Sequence, residues 1–174
     1  MPDPAFLTLE STTESSMTEG ASSQDSIGPF KREGENFVDK ILVEGFSHEV
    51  NRPVDPQSGQ ATGSRIHGAF VITKLVDKTT PMLYLHLVNG THFNSVKIEF
   101  YRTDDEGAPE LYYSVELQDA VLTGMKTYIP NCLDPSNERL WHFDEVKFSY
   151  GNITWLHEKA GTSGSDSWSH GPGA

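Results

Sequence analysis

Helical punctuation occurs once in this chain, while strand-like alternation recurs along most of it, and that contrast limits the fold more than any other feature. The helical segment reads T-T-P-M-L-Y-L-H-L-V-N-G. Thr80 is placed as its N-cap, Pro81 at the first helical position and Gly90 just past its end. Met82, Leu83, Tyr84, Leu85, Leu87 and Val88 cover nearly the whole circumference, so this helix needs burial on more than one side. In a small domain of strands, a second protein surface is one way to supply it.

The remaining periodic segments alternate with a period of two. They include F-L-T-L-E at 6–10, A-F-V-I-T-K-L-V at 69–76 and V-K-I-E-F-Y-R-T at 96–103, the last followed by the turn T-D-D-E-G-A-P-E. Strand signal continues through V-E-L-Q-D-A-V-L-T-G-M-K-T-Y-I, and W-H-F-D-E-V-K-F-S-Y with N-I-T-W-L-H supplies the last strand or two. In I-L-V-E-G-F-S-H-E-V at 41–50, Phe46, His48 and Val50 project to one face, and Gly45, Ser47 and Glu49 to the other. Many short strands with one helix give a mainly β fold, a barrel or a sandwich of two sheets with one flanking α-helix. At 174 residues, one domain spanning 1–174 is expected, with no internal repeat.

Three segments stand outside that pattern. Residues 11–26 are rich in Ser and Thr and read as a surface connection. Residues 51–68, N-R-P-V-D-P-Q-S-G-Q-A-T-G-S-R-I-H-G, form a long extended loop that is either disordered or functional. Residues 169–174, S-H-G-P-G-A, read as a flexible tail.

Charge narrows the partners. The net charge of −12, from 25 acidic against 13 basic residues, argues against nucleic acid or an anionic membrane surface. No stretch reaches the ~20 apolar residues needed to cross a bilayer as a helix, so no membrane insertion is expected. The segment M-P-D-P-A-F-L-T-L-E lacks the basic and apolar regions of a signal peptide. A single cysteine, Cys132, excludes an intramolecular disulfide and reads as a buried, inert thiol. Together these place the chain in a reducing cytoplasm, leaving it, if at all, by a route other than general secretion.

Motifs that would carry chemistry are weak in this chain. Its seven histidines form no HExxH and no zinc-spaced pair with cysteine. Asp104-Asp105-Glu106-Gly107 lacks the alternating ligands of a calcium loop and reads as a hairpin turn. G-T-S-G-S-D at 161–166 has no phosphate-binding lysine and opens no helix. A triad of His157, Ser165 and Asp166 would need a geometry imposed by the fold. Trp141, Trp155 and Trp168 would suit a carbohydrate platform, against the alternative of core and interface packing. The reading that results is a non-enzyme with no cofactor and no metal, with a monomeric ligand- or carbohydrate-binding β-module as the alternative function.

The C-terminal I-T-W-L-H-E-K-A-G-T-S-G-S-D-S-W resembles the haemolysin-coregulated protein (Hcp) family, tube subunits of bacterial type VI secretion systems. D-S-I-G at 25–28, I-L-V-E-G-F-S-H-E-V at 41–50, D-P-Q-S-G-Q-A-T-G-S-R-I-H at 55–67 and I-T-K-L-V-D-K-T-T-P-M-L at 72–83 agree, as do E-F-Y-R-T and L-Q-D-A-V-L. The resemblance covers nearly the whole chain in order. It implies a β-barrel with a helix beside it, six copies closing into a ring, and rings stacking into a hollow tube. That tube would be fired from the bacterial cytoplasm to the exterior by a contractile sheath behind a VgrG-like spike protein, carrying small effectors in its lumen. On this resemblance Gly45, Ser47 and Glu49 face the lumen. Pro53, Asp55, Gln57, Gly59, Arg65 and His67 belong to an inter-ring loop, with Arg65 and His67 pairing acids across the joint. Met82, Tyr84, Leu85 and Val88 form an inter-subunit helix face. Trp155, Gly161, Ser163, Asp166 and Trp168 form a C-terminal assembly loop pinned by Trp168. The short tail leaves no room for the appended toxin domain that some members carry.

Overall fold

Six antiparallel strands close on themselves, and a seventh is added at one side. The computed structural model describes residues 3–13, 17–22, 36–137 and 141–168. The strands are β1 (Ala5–Ser11), β2 (Ile41–Ser47), β3 (Val50–Asn51), β4 (Ile66–His67), β5 (Phe70–Leu75), β6 (His92–Thr103), β7 (Pro109–Tyr128), β8 (Phe143–His157) and β9 (Thr162–Ser167). The helix α1 spans Thr80–Asn89. Strand order is β5-β2-β1-β6-β7-β8-β9, and β5 also pairs with β8, which closes the barrel. One edge of β8 is divided between two partners. Phe143–Phe148 pair with β5, and Asn152–His157 pair with β9. Among the described residues, the β5–β8 pairing leaves the barrel no terminal strand, and in that sheet β9 is the strand with an outer edge unpaired. The fold is therefore the barrel, not the two-sheet sandwich.

Alternation explains the core. Leu7 and Leu9 of β1, Ile72 of β5, Ile98 of β6, Leu117 of β7 and Val146 of β8 are fully excluded from water inside the barrel. Each such side chain stabilises the fold by roughly 1.5–3 kcal/mol. Phe6, on the opposite face of β1, is buried too. A 3-10 turn at Phe37–Asp39 caps that face, and Phe6, Phe37 and Tyr101 pack with ring centroids 4.6–5.8 Å apart.

Several sequence expectations change. The helix includes Thr80, with Thr79 at the N-cap position and no side-chain capping bond. The Thr80 hydroxyl is instead engaged by the buried Lys74 and Asp144, and this partnership overrides capping. Gly90 takes the left-handed conformation expected at the C-terminus (φ 63°). The helix is not buried all round in the single chain. Leu83 and His86 face the barrel, whereas Leu85 and Val88 are 61% and 81% exposed.

The 51–68 loop is a β-hairpin. β3 and β4 pair Val50 with His67 and Asn51 with Ile66, and a bridge joins Val54 to Ala61 farther out. The polar stretch after His157 is a strand, β9, because the edge of β8 beyond Phe148 offers it an unused ladder. Its Ser- and Gly-rich sequence carries weak strand propensity, so the partner edge supplies what the residues do not. Within the Ser/Thr-rich stretch, Met17 and Ala21 enter the core. Residues 14–16 and 23–26 of that stretch, and the tail at 169–174, lie outside the described residues. Cys132 is exposed, not buried, because it lies in the turn-rich β7–β8 connection.

Candidate assembly site

The hairpin of β3 and β4 projects from the barrel as an arm, and both of its legs are tied at the root to one hydroxyl. His48, in the corner between β2 and β3, places Nε2 2.7 Å from Tyr150 Oη. His67, at the end of β4, places Nδ1 2.8 Å from the same oxygen. His67 Nε2 is 3.0 Å from Asp166 Oδ2 on β9, and the Arg65 guanidinium engages both Asp166 oxygens. Arg65 also donates to the Ser167 carbonyl at 2.9 Å. Trp168 covers the cluster, stacked on His67 at 5.5 Å and edge-on to Tyr150 at 4.8 Å.

Electrostatics follow from this packing. The Arg65 guanidinium holds the Asp166 carboxyl below its ordinary value despite partial burial, helped by the Ser167 amide and His67. Burial, with Asp166 nearby, pushes the Tyr150 phenol up, so it stays protonated. Burial lowers His48; the neighbouring His67 adds to this, and Glu49 opposes it.

Arg65 and His67 thus find an acid, Asp166, within their own chain, a partner the sequence reading does not name. The arm tip is held by Asp55, whose carboxylate accepts from the Gln57 amide and the Ser58 hydroxyl. Those bonds hold it below the usual carboxylate range. Gly59 adopts φ 67° in the turn, a conformation costly for other residues. Pro53, Gln57 and Gly59 are exposed.

On β2, a register shift between Val43 and Gly45 sets the faces. Phe46 turns towards Phe70 and Phe100, with ring centroids 4.9 and 5.2 Å away. Gly45 lies against Thr73 of the neighbouring strand, and Ser47 is exposed. Glu49 does not continue that face, because β2 ends at Ser47; its carbonyl accepts from the Gly68 amide. On α1, Met82 packs against the core and the Tyr84 hydroxyl bonds Thr127 at 2.9 Å, leaving Leu85 and Val88 as the outward apolar pair.

The C-terminal group divides. Gly161 (φ 65°) makes the β8–β9 turn, Trp155 packs on the core and Ser163 is exposed. Asp166 serves Arg65 and His67, while His157 Nδ1 accepts from the Ala160 amide, so His157, Ser165 and Asp166 form no triad. Among the described residues no cluster of three or more His, Cys, Asp or Glu is placed to hold a metal. The three tryptophans do not share one surface role: Trp141 is exposed in a loop, Trp155 packs on the core and Trp168 covers His67. Sequence reasoning missed Tyr150 and His48 as the hub of the cluster. Their meeting 102 positions apart follows no local pattern, and the register shift in β2 hides which way His48 turns.

Comparison with known proteins agrees with this architecture. The family described as "Type VI secretion system effector, Hcp" matches residues 10–157. The "Major exported protein" of Pseudomonas aeruginosa is 45% identical over 168 residues, covering 97% of this chain and 96% of that protein. A crystal structure of an Hcp protein superposes with TM-score 0.86 at 37% identity, covering 97% of this chain and 99% of the other. The secreted protein Hcp3 from Pseudomonas aeruginosa gives TM-score 0.74 at 36% identity, with the same coverage. With the closed barrel, the flanking helix and matches of this extent, the chain belongs to the haemolysin-coregulated protein (Hcp) family of type VI secretion systems.

Proposed function

We propose that this chain is the subunit of a type VI secretion inner tube: six copies close into a ring, and rings stack head to tail into a hollow conduit. The family is not one of enzymes, so its work is assembly and delivery. The observation that carries the reading is the outward stripe of α1, where Leu85 and Val88 stand 61% and 81% exposed beside a barrel closed by the β5–β8 pairing. Such a barrel associates through side-chain faces. An apolar pair on a rigid helix suits a head-to-tail contact whose rotation closes.

In this reading the arm reaches the next ring. Pro53, Asp55, Gln57 and Gly59 form its tip, and Arg65 and His67 fix its root. Gly45 and Ser47, small or polar and on the outer face of β2, line the bore with Glu49 beside them, and small effectors ride inside. The VgrG-like spike and contractile sheath are the partners at the ends and flank of the tube. Relatives named "Major exported protein" and "Secreted protein Hcp3" support export of the assembled tube from the cytoplasm. Native mass spectrometry tests ring formation: a species of six times the 19.3 kDa chain mass is expected. A stable monomer at all concentrations would instead favour a ligand-binding β-module.

A further inference from the structure

We infer that His48, Tyr150, His67 and Asp166 form a proton-gated clasp that holds the β3–β4 arm at a fixed angle at neutral pH and releases it in acid. The geometry fixes the direction of every hydrogen bond in the cluster. Asp166, paired with Arg65, is a carboxylate, so His67 Nε2 must carry a proton and donate to it across 3.0 Å. A neutral His67 then leaves Nδ1 as an acceptor, and the Tyr150 hydroxyl donates to it across 2.8 Å. Having spent its one proton there, Tyr150 can only accept from His48 Nε2, at 2.7 Å. A single polarised chain runs from His48 through Tyr150 and His67 to Asp166, through both legs of the hairpin.

Proton capacity limits the chain. One added proton can be accommodated. If His67 becomes the imidazolium, Nδ1 donates to Tyr150, the hydroxyl turns, and His48 accepts through its other tautomer. Two added protons cannot be accommodated. Both rings would then donate to one phenolic oxygen, the Tyr150 proton would lose its acceptor, and two cations would face each other across one hydroxyl. Tyr150 is only 4% exposed, so water does not readily replace the lost partner. The charged groups around the pair are Glu49 beside His48, and Arg65 and Asp166 beside His67; Phe70, Trp155 and Trp168 supply the apolar walls. Asp166 is already matched by Arg65, and Glu49 is the acid that acts on His48 among the described residues. Burial, then the neighbouring ring, lower His48, so the second proton is taken up at lower pH than the first.

The release itself concerns the single chain. Its consequence, looser ring stacking in acid, rests on the reading that the arm contacts a neighbouring ring. Hydrogen–deuterium exchange on the purified full chain, corrected for intrinsic exchange at each pH, tests the clasp through the amide of Gly68, which donates to the Glu49 carbonyl at the root of the arm. Between pH 7.5 and about 5, this protection should fall about tenfold relative to β6, the effect of losing one net hydrogen bond. His48→Gln, which keeps a donor for Tyr150 but does not titrate, should retain the protection at the lower pH. Tyr150→Phe should show the low protection at both. A flat wild-type profile, or an equal fall in His48→Gln, would overturn the inference. Arm release in acid without any change in stacking by light scattering would leave the clasp standing and count against the inter-ring role of the arm.

Discussion

Lys74 Nζ lies 3.2 Å from Asp144 Oδ2, and neither side chain has any exposure to water. Asp144 also accepts from Thr80 and Thr127, each at 2.5 Å, and Lys74 donates to the Leu75 carbonyl and pairs with Asp77 at 2.9 Å. A single cluster thus ties β5, the start of α1, β7 and β8 together. Removing Asp144 leaves the buried Lys74 with Asp77 as its remaining acid and takes the acceptor from the Thr80 and Thr127 hydroxyls. Asp144→Ala should lower unfolding free energy by about 3–5 kcal/mol in urea titration, whereas Lys74→Met with Asp144→Leu should recover most of that loss.

Acid should weaken the fold through specific carboxylates. Burial works to raise Glu99, but the Lys40 and Lys97 ammonium groups, at 2.5 and 3.0 Å, outweigh it and hold the carboxyl low. Asp166 is depressed mainly by Arg65. A group whose folded value lies below its unfolded one stabilises fully above the unfolded value and loses that contribution as pH falls through the folded value. Stability should therefore decline as pH falls through about 4.5, where an unfolded glutamate is half protonated. Glu99→Gln should flatten that decline in thermal melts taken from pH 6 to 3. An unchanged slope would contradict the role given to Glu99.

The helix stripe separates folding from assembly. Leu85→Asp with Val88→Asp alters two exposed residues, so the melting temperature should stay within a few degrees of the parent. Ring formation should fail, and size-exclusion with light scattering should report a monomer. Rings of undiminished stability would remove α1 from the interface.

Arm and bore should respond independently. Val54→Asp changes an exposed residue on the arm and should leave rings intact while abolishing their stacking in sedimentation. Ser47→Gln adds bulk to the outer face of β2 and should leave ring mass unchanged while reducing co-purification of effector. Normal effector retention would exclude Ser47 from the bore.

Local periodicity carried most of the barrel. Phe70, Ile72 and Lys74 alternate with Val71 and Thr73, and β5 appears where that alternation stands, with Lys74 inward despite its charge because Asp144 stands opposite it on the neighbouring strand β8. Segments whose structure comes from a partner were opaque. β9 has no strand-like composition of its own, and the edge of β8 beyond Phe148 imposes its ladder. The 51–68 segment reads as a loop because its ladder is short and its prolines sit beside it. The Arg65–Asp166 pair joins positions 101 residues apart, a separation that no periodic pattern encodes. The family motifs pointed to the arm and the C-terminal segment as assembly elements, but not to their contact with each other.

Ring closure is addressed most directly by negative-stain electron microscopy of the purified protein. Annular particles with six-fold symmetry and a stained central hole are expected, lengthening into stacked cylinders at high concentration. Compact particles of single-chain size at every concentration, with no central hole, would contradict a tube-forming subunit.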